Sequence, residues 1–207
     1  MKGLFITFEG LDGCGKTTQA HLLKEFLKNK DYTIYLTREP GGTEVGERVR
    51  EILLDPNYTL NPWSEVFLYL VSRVENSQNI KEKIQNGIFV ICERYADSTI
   101  AYQGYGRELP IDMLENFNKI ATLGLVPDIT FLIDVAPEVS LRRKKEFDRI
   151  ERESLEFYYK VRKGYLTLAE ENKERFIIIS GDAPKKEIFE KVAFFVEKKI
   201  KEVKREV

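Results

Sequence analysis

Apolar positions follow two rhythms along this chain. Short, mostly apolar runs fall at residues 4–8, 32–37, 88–92, 129–135 and 176–180, that at 88–92 unbroken. Runs of that length, rich in β-branched and aromatic residues, suit strands buried on both faces of a parallel sheet. Between them, apolar residues recur every three to four positions, the spacing of a helix with one buried face. Ala20, Leu22, Leu23, Phe26 and Leu27 form the first such face, and Val45, Val49, Ile52 and Leu53 the second. Asn61 followed by Pro62 predicts an N-cap and a first helical position. That helix runs through Trp63, Val66, Phe67, Leu70 and Val74 to about Asn86, where Gly87 closes it. Further helices are predicted over 110–122, from Pro137, over 154–174 and after Pro184. The last is expected to set Ile188, Val192, Phe195 and Ile200 against the sheet. Residues 97–106 read as a polar–aromatic stretch, to which no element is assigned. Strands alternating with helices predict an α/β domain with a doubly wound, five-stranded parallel sheet. No linker or repeat divides residues 1–207, so one domain is expected.

Ligands of such sheets bind beyond the carboxyl ends of the strands. The first strand empties into Gly10, Leu11, Asp12, Gly13, Cys14, Gly15, Lys16, Thr17 and Thr18. The order G-x-x-x-x-G-K-T is that of a phosphate-binding loop, and strand, loop and helix follow one another as an anion site needs. Successive backbone N–H groups wrap the anion, Lys16 reaches the terminal phosphates and the Thr17 hydroxyl can ligate Mg²⁺. The predicted architecture is therefore of the P-loop NTPase type. Other strand ends carry Arg38 to Thr43, Glu93 with Arg94, Asp134 and the turn Ser180 to Ala183.

Composition narrows the class. Lys and Arg number 33 against 34 Asp and Glu, which argues against a broad nucleic-acid or membrane surface. Two cysteines, Cys14 and Cys92, make neither a disulfide framework nor a zinc site. Cys14 lies in the phosphate loop near a helix start, where a thiol pKa tends to fall, so alkylation there is expected to block ATP. No basic-then-apolar leader opens the chain and no apolar run approaches membrane length, so a cytoplasmic protein is expected. The lone histidine, His21, reads as a surface residue.

A phosphate loop specifies a nucleotide, not a reaction. The GTPase base-reading order N-K-x-D is absent. Arginines at strand ends and in the basic segment Arg142, Arg143, Lys144, Lys145 suit a site that brings two polyanions together. A kinase acting on a monophosphate must offset that repulsion with fixed cations.

GLDGCGKT, TREPGGT, ERY followed by DSTIAYQG, and DRIE behind basic residues resemble the thymidylate kinase family, bacterial type, over nearly the whole chain. The resemblance implies transfer of the γ-phosphoryl group of MgATP to dTMP by a homodimer, with no nucleic-acid or membrane partner. It implies Lys16, Arg94 and Arg149 as the catalytic cations, Arg149 lying in a mobile lid over residues 142–152 with Arg143 as helper. Arg38 and Arg50 match positions near the acceptor phosphate, and Asp12 one near the sugar 3′-hydroxyl. Glu93, where most members have Asp, is implied as the Mg²⁺ carboxylate beside Thr17, and Ala183 as lining adenine. Tyr69, usually Phe, would stack on the base, and Tyr102 would close off the sugar 2′ side. Thr99 and Gln103 match positions near one polar edge of the base. Arg73 is donor-only, so it is satisfied by the thymine O4 acceptor and not by the cytosine amino group. A kinase for UMP or thymidine, or an ATP-dependent binding module, stay as alternatives at this point.

Overall fold

The computed structural model describes residues 2–143 and 148–205. Five parallel strands form one sheet in the order β2-β3-β1-β4-β5, with β1 at Phe5–Glu9, β2 at Ile34–Arg38, β3 at Phe89–Glu93, β4 at Ile129–Asp134 and β5 at Phe176–Ser180. The three central strands are almost wholly buried, which is why their sequences read as mostly apolar runs. Register places Phe8 beside Glu93 and Phe131, so the ends of β3 and β4 flank the end of β1. The chain leaves β1 for one side of the sheet and returns on the other, opening a crevice at the switch point above β1.

Helix α1 (Lys16–Lys28) follows the phosphate loop and buries Ala20, Leu23 and Leu27. Helices α2 (Glu44–Leu54) and α3 (Pro62–Gln85) pack together beside β2 and β3. Thr43 caps α2 by accepting from Gly46 N–H, and Asn61 caps α3 by accepting from Trp63 N–H. The remaining helices are α4 (Ala96–Thr99), α5 (Ile111–Ala121), α6 (Pro137–Arg142), α7 (Leu155–Glu171) and α8 (Lys185–Arg205).

Two expectations are corrected. Residues 97–106 are helical: α4 runs straight into a π-helix over Ile100–Gly106. Five consecutive residues, Ile100 to Gly104, are buried there, so no amphipathic rhythm marks the segment. Close approach by α7 makes this possible. A Cβ on Gly106 would lie 2.5 Å from the Phe157 ring. The second correction concerns α8, which buries Ile188, Val192, Val196 and Ile200 chiefly against α1, with Phe195 only half-buried. Lys144 and Lys145 lie outside the described residues. Among the described residues no helix is long and apolar enough to cross a membrane.

Candidate active site

The phosphate loop is built on glycines that take backbone angles closed to other residues. Gly10, Gly13 and Gly15 have φ of 131°, 77° and 104°. A Cβ on Gly10 would also come within 2.5 Å of the Ile133 carbonyl, so β4 presses the loop from below. Lys16 is buried. Its ammonium donates to the Gly10 and Leu11 carbonyls at 2.9 and 2.7 Å and stands 4.0 Å from the Asp12 carboxylate. The Thr17 hydroxyl donates to Glu93 Oε2 at 2.6 Å, joining the loop to the end of β3. Ser140 on α6 donates to the Asp12 carbonyl and holds the loop from above.

Cys14 differs from its expected place. Its side chain is 1% exposed and packs in the hydrophobic core, its sulfur 3.7 Å from the Lys16 ammonium. An alkylating reagent has no approach to it, which removes the ground for a block of ATP binding through this thiol.

Arg94 joins the two halves of the site. It follows β3 with a φ of 64°, a region that a non-glycine residue enters only when its surroundings hold it there. Its Nη2 donates to Asp12 Oδ1 at 2.8 Å and to the Tyr102 hydroxyl at 3.0 Å. Its Nη1 donates to Ser98 at 3.2 Å and to the Tyr165 hydroxyl at 3.0 Å. Burial disfavours the charge. The Asp12 carboxylate and the Tyr102 and Tyr165 hydroxyls outweigh it, and the guanidinium pKa lies well above its ordinary value.

Beneath this pair sits Glu9, which the sequence marks only as the end of the first strand. It ends β1, is fully buried, and accepts from Tyr95 N–H at 2.7 Å, Ser98 Oγ at 2.7 Å and Tyr165 Oη at 2.9 Å. Burial, and next the charge of Asp97, push its pKa up to about 7 against the opposing pull of Arg94. An acid at the last position of an otherwise apolar strand is the only sign the sequence carried.

Two cavities meet at Asp12 and Arg94. The first has an empty volume of about 1060 Å³ and is lined by the phosphate loop, Arg38, Glu93, Arg94, Arg50 and Arg143. The second, about 540 Å³, runs between α3 and the π-helix and is lined by Arg50, Tyr69, Arg73, Thr99, Tyr102 and Gln103, together with Asp12 and Arg94. Most of the expected acceptor residues are therefore in one pocket. Arg38 does not line it; it lines the larger cavity, paired with Glu47 at 3.0 Å. Arg50 donates to the Pro40 carbonyl at 2.9 Å, and burial and then Arg38 lower its pKa. Burial, then Glu65, raise the pKa of the Tyr69 hydroxyl, which therefore stays neutral.

Arg73 is 1% exposed, and its fork is nearly saturated. It donates to Glu39 at 2.8 Å, to Thr99 and Asn118 at 2.7 Å each, and to the Tyr95 carbonyl at 3.0 Å. A guanidinium has five N–H groups, so one is left uncommitted by these four bonds, on a residue that lines the cavity. Burial raises the Glu39 pKa and the Arg73 charge beside it works the other way. Asn118, on α5, was missed because one polar residue on an amphipathic helix reads as surface.

The lid residues separate. Arg143 lines the larger cavity and donates to the Gly181 carbonyl from both Nη atoms at 3.2 Å. The Gly181 turn abuts the phosphate loop: a Cβ there would meet the Cys14 carbonyl at 3.2 Å. Ala183 follows it, half-buried against the core. Arg149 lines neither cavity. Its Nε donates to the Leu53 carbonyl at 2.8 Å and its Nη1 pairs with Glu65 at 2.7 Å.

A phosphate loop opening into two arginine-lined cavities suits transfer of a phosphoryl group between two small anions. By fold and site the molecule is a P-loop kinase. The family model described as Thymidylate kinase matches residues 8–192, and the chain belongs to that family. It is 49% identical over 184 residues to the thymidylate kinase of Thermoanaerobacter pseudethanolicus, covering 87% of this chain and 91% of the relative. It is 46% identical over 201 residues to that of Carboxydothermus hydrogenoformans, covering 95% and 98%. The crystal structure of thymidylate kinase from Ehrlichia chaffeensis superposes with a TM-score of 0.79 at 36% identity, covering 95% of this chain and 99% of that one.

Proposed function

We propose that this chain is an ATP:dTMP phosphotransferase, giving dTDP and ADP. The observation that carries the reading is the shared wall: the Asp12–Arg94 pair borders both cavities, so donor and acceptor phosphates would meet there. The larger cavity takes ATP, its triphosphate over residues 10–18 and its adenine towards Ala183, with Lys16 and Arg143 on the phosphates. The smaller takes dTMP, with Arg50, Arg94 and Arg38 towards its phosphate, Asp12 and Tyr102 at the sugar, and Tyr69, Arg73, Thr99 and Gln103 at the base. Tyr102, buried and bonded to Arg94 and Asp12, leaves little room for a 2′-hydroxyl.

Catalysis is positioning and charge stabilisation. The attacking oxygen of a monophosphate is already ionised at neutral pH, so no general base is needed. Lys16 and Arg94 offset charge on the transferring group, and Arg149 would join them on nucleotide binding. The Thr17 hydroxyl and Glu93 carboxylate, 2.6 Å apart, are the hard oxygen donors Mg²⁺ prefers, and these two would hold it. The ion would supply charge neutralisation on phosphate oxygens.

Residues 1–207 act as one domain in this reading. A homodimer, in the cytoplasm, completes it. The dimer's support is exposed apolar residues on the packed pair α3 and α5: Phe67, Val71 and Val74 on the first, and Met113 and Ile120, 72% exposed, on the second. Val66 on α3 is buried and takes no part in that surface. A coupled ADP-release assay with dTMP, dUMP, CMP, thymidine and no acceptor tests the function. Turnover is expected with dTMP above all; equal turnover with thymidine or CMP would discard it.

A further inference from the structure

Glu65 lies on α3, 1% exposed, and four donors converge on its carboxylate. Gln103 Nε2 donates to Oε1 at 2.8 Å, and Arg107 Nε to the same oxygen at 3.3 Å. Arg107 Nη2 reaches Oε2 at 3.2 Å, and Arg149 Nη1 reaches it at 2.7 Å. Two guanidinium groups, those of Arg107 and Arg149, thus face this one buried side chain. A carboxylate only accepts, so the amide of Gln103 has a single allowed polarity: its nitrogen faces Glu65 and its oxygen does not. Gln103 lines the smaller cavity, and among the described residues its amide oxygen has no hydrogen-bond partner. The same cavity carries the one uncommitted N–H of Arg73. Arg73 and Gln103 thus add to this cavity a side chain that can only donate and an amide oxygen that can only accept.

We propose that Glu65 is a positioning residue for base selection, acting through Gln103. By holding the amide nitrogen it turns the Gln103 oxygen towards the cavity as a permanent acceptor for a base N–H. Such an oxygen suits the N3–H of a 4-oxopyrimidine and repels the bare N3 of a 4-aminopyrimidine. Without the carboxylate the amide is free to flip and offer NH₂ instead, and the selection is lost. This rests on the dTMP reading above and concerns what enforces it.

The test compares kcat/KM for dTMP and N3-methyl-dTMP, which lacks the N–H, in wild type, Glu65→Gln, Gln103→Ala and the double variant. Wild type should disfavour the methylated substrate by about tenfold or more, the worth of one good hydrogen bond. That ratio should fall several-fold in Glu65→Gln, fall in Gln103→Ala, and fall no further in the double variant, as for two residues acting in one chain. A wild-type ratio retained in Glu65→Gln, or additive effects, would overturn the proposal. Should Glu65→Gln not fold, proton NMR of the wild-type complex with dTMP decides. Gln103 amide protons should show contacts to Glu65, whereas contacts to the thymine N3 edge would refute it. Absence of dTMP turnover by wild type would instead remove the underlying reading.

Discussion

The Arg149 guanidinium is docked on Glu65 at 2.7 Å, and one of its nitrogens, Nη2, is buried without an acceptor. An unsatisfied buried N–H costs on the order of 1–3 kcal/mol. The docked position is thus poorly satisfied, and phosphate oxygens of a bound nucleotide would satisfy the group better. Glu65 would keep Arg107 as a counter-charge after Arg149 leaves. Arg149→Ala should therefore lower kcat by about 10²-fold or more with little change in dTMP affinity. Steady-state kinetics with calorimetric dTMP binding checks this. A main loss in dTMP binding would make Arg149 an acceptor-site residue.

Arg94 bridges the cavities, so its removal should not sort neatly into one substrate. Arg94→Ala is expected to raise KM for both ATP and dTMP and to depress kcat. It also leaves Asp12 without its 2.8 Å partner. Arg94→Lys should recover only a small part, because one ammonium cannot reach Asp12, Tyr102, Ser98 and Tyr165 together as the fork does. Recovery of near-normal kinetics in Arg94→Lys would mean that charge alone suffices.

Much of this site was legible in the chain because the phosphate loop couples a local pattern to a fixed context. Strand, glycines and helix follow within a few residues, and short-range periodicity reveals all three. Arg94 and Tyr102 were legible through their motifs and Arg73 through its donor-only chemistry, and all three line one cavity. Glu9, Glu65 and Asn118 were not. Each is a polar residue whose partners lie far along the chain: Tyr165 for Glu9, Gln103 and Arg149 for Glu65, Arg73 for Asn118. Periodicity assigns such residues to solvent, and only the folded topology shows them buried. The π-helix escaped for the opposite reason, since burial on every side erases the alternation that marks a helix.

Thiol reactivity follows from the packing. Cys14 and Cys92 are both buried, and burial raises the Cys92 pKa well above its usual value. Ellman's reagent should react slowly with both in the native protein and promptly with 2 thiols per chain after denaturation. Fast native labelling that ATP prevents would instead open the Cys14 side of the loop to solvent.

The pH dependence of stability should carry the mark of Glu9. Its carboxyl pKa is raised by folding from an ordinary 4.5 to about 7, through burial and the neighbouring Asp97 charge. Between those values the folded chain holds a proton that the unfolded chain has released. The unfolded state then binds fewer protons, and stability falls as pH rises. The contribution is present in full below about 4.5 and is lost as pH climbs through 7. Arg175 donates to both oxygens of that Asp97 carboxylate, at 2.7 and 2.8 Å. Replacing Glu9 by Gln removes the titrating proton while keeping the shape. The melting temperature of wild type should therefore decline from pH 5 to 7 relative to that of Glu9→Gln, whose profile should be flatter there. Parallel profiles across that window would mean that Glu9 is ionised throughout, with Arg94 and its three hydrogen-bond donors outweighing burial.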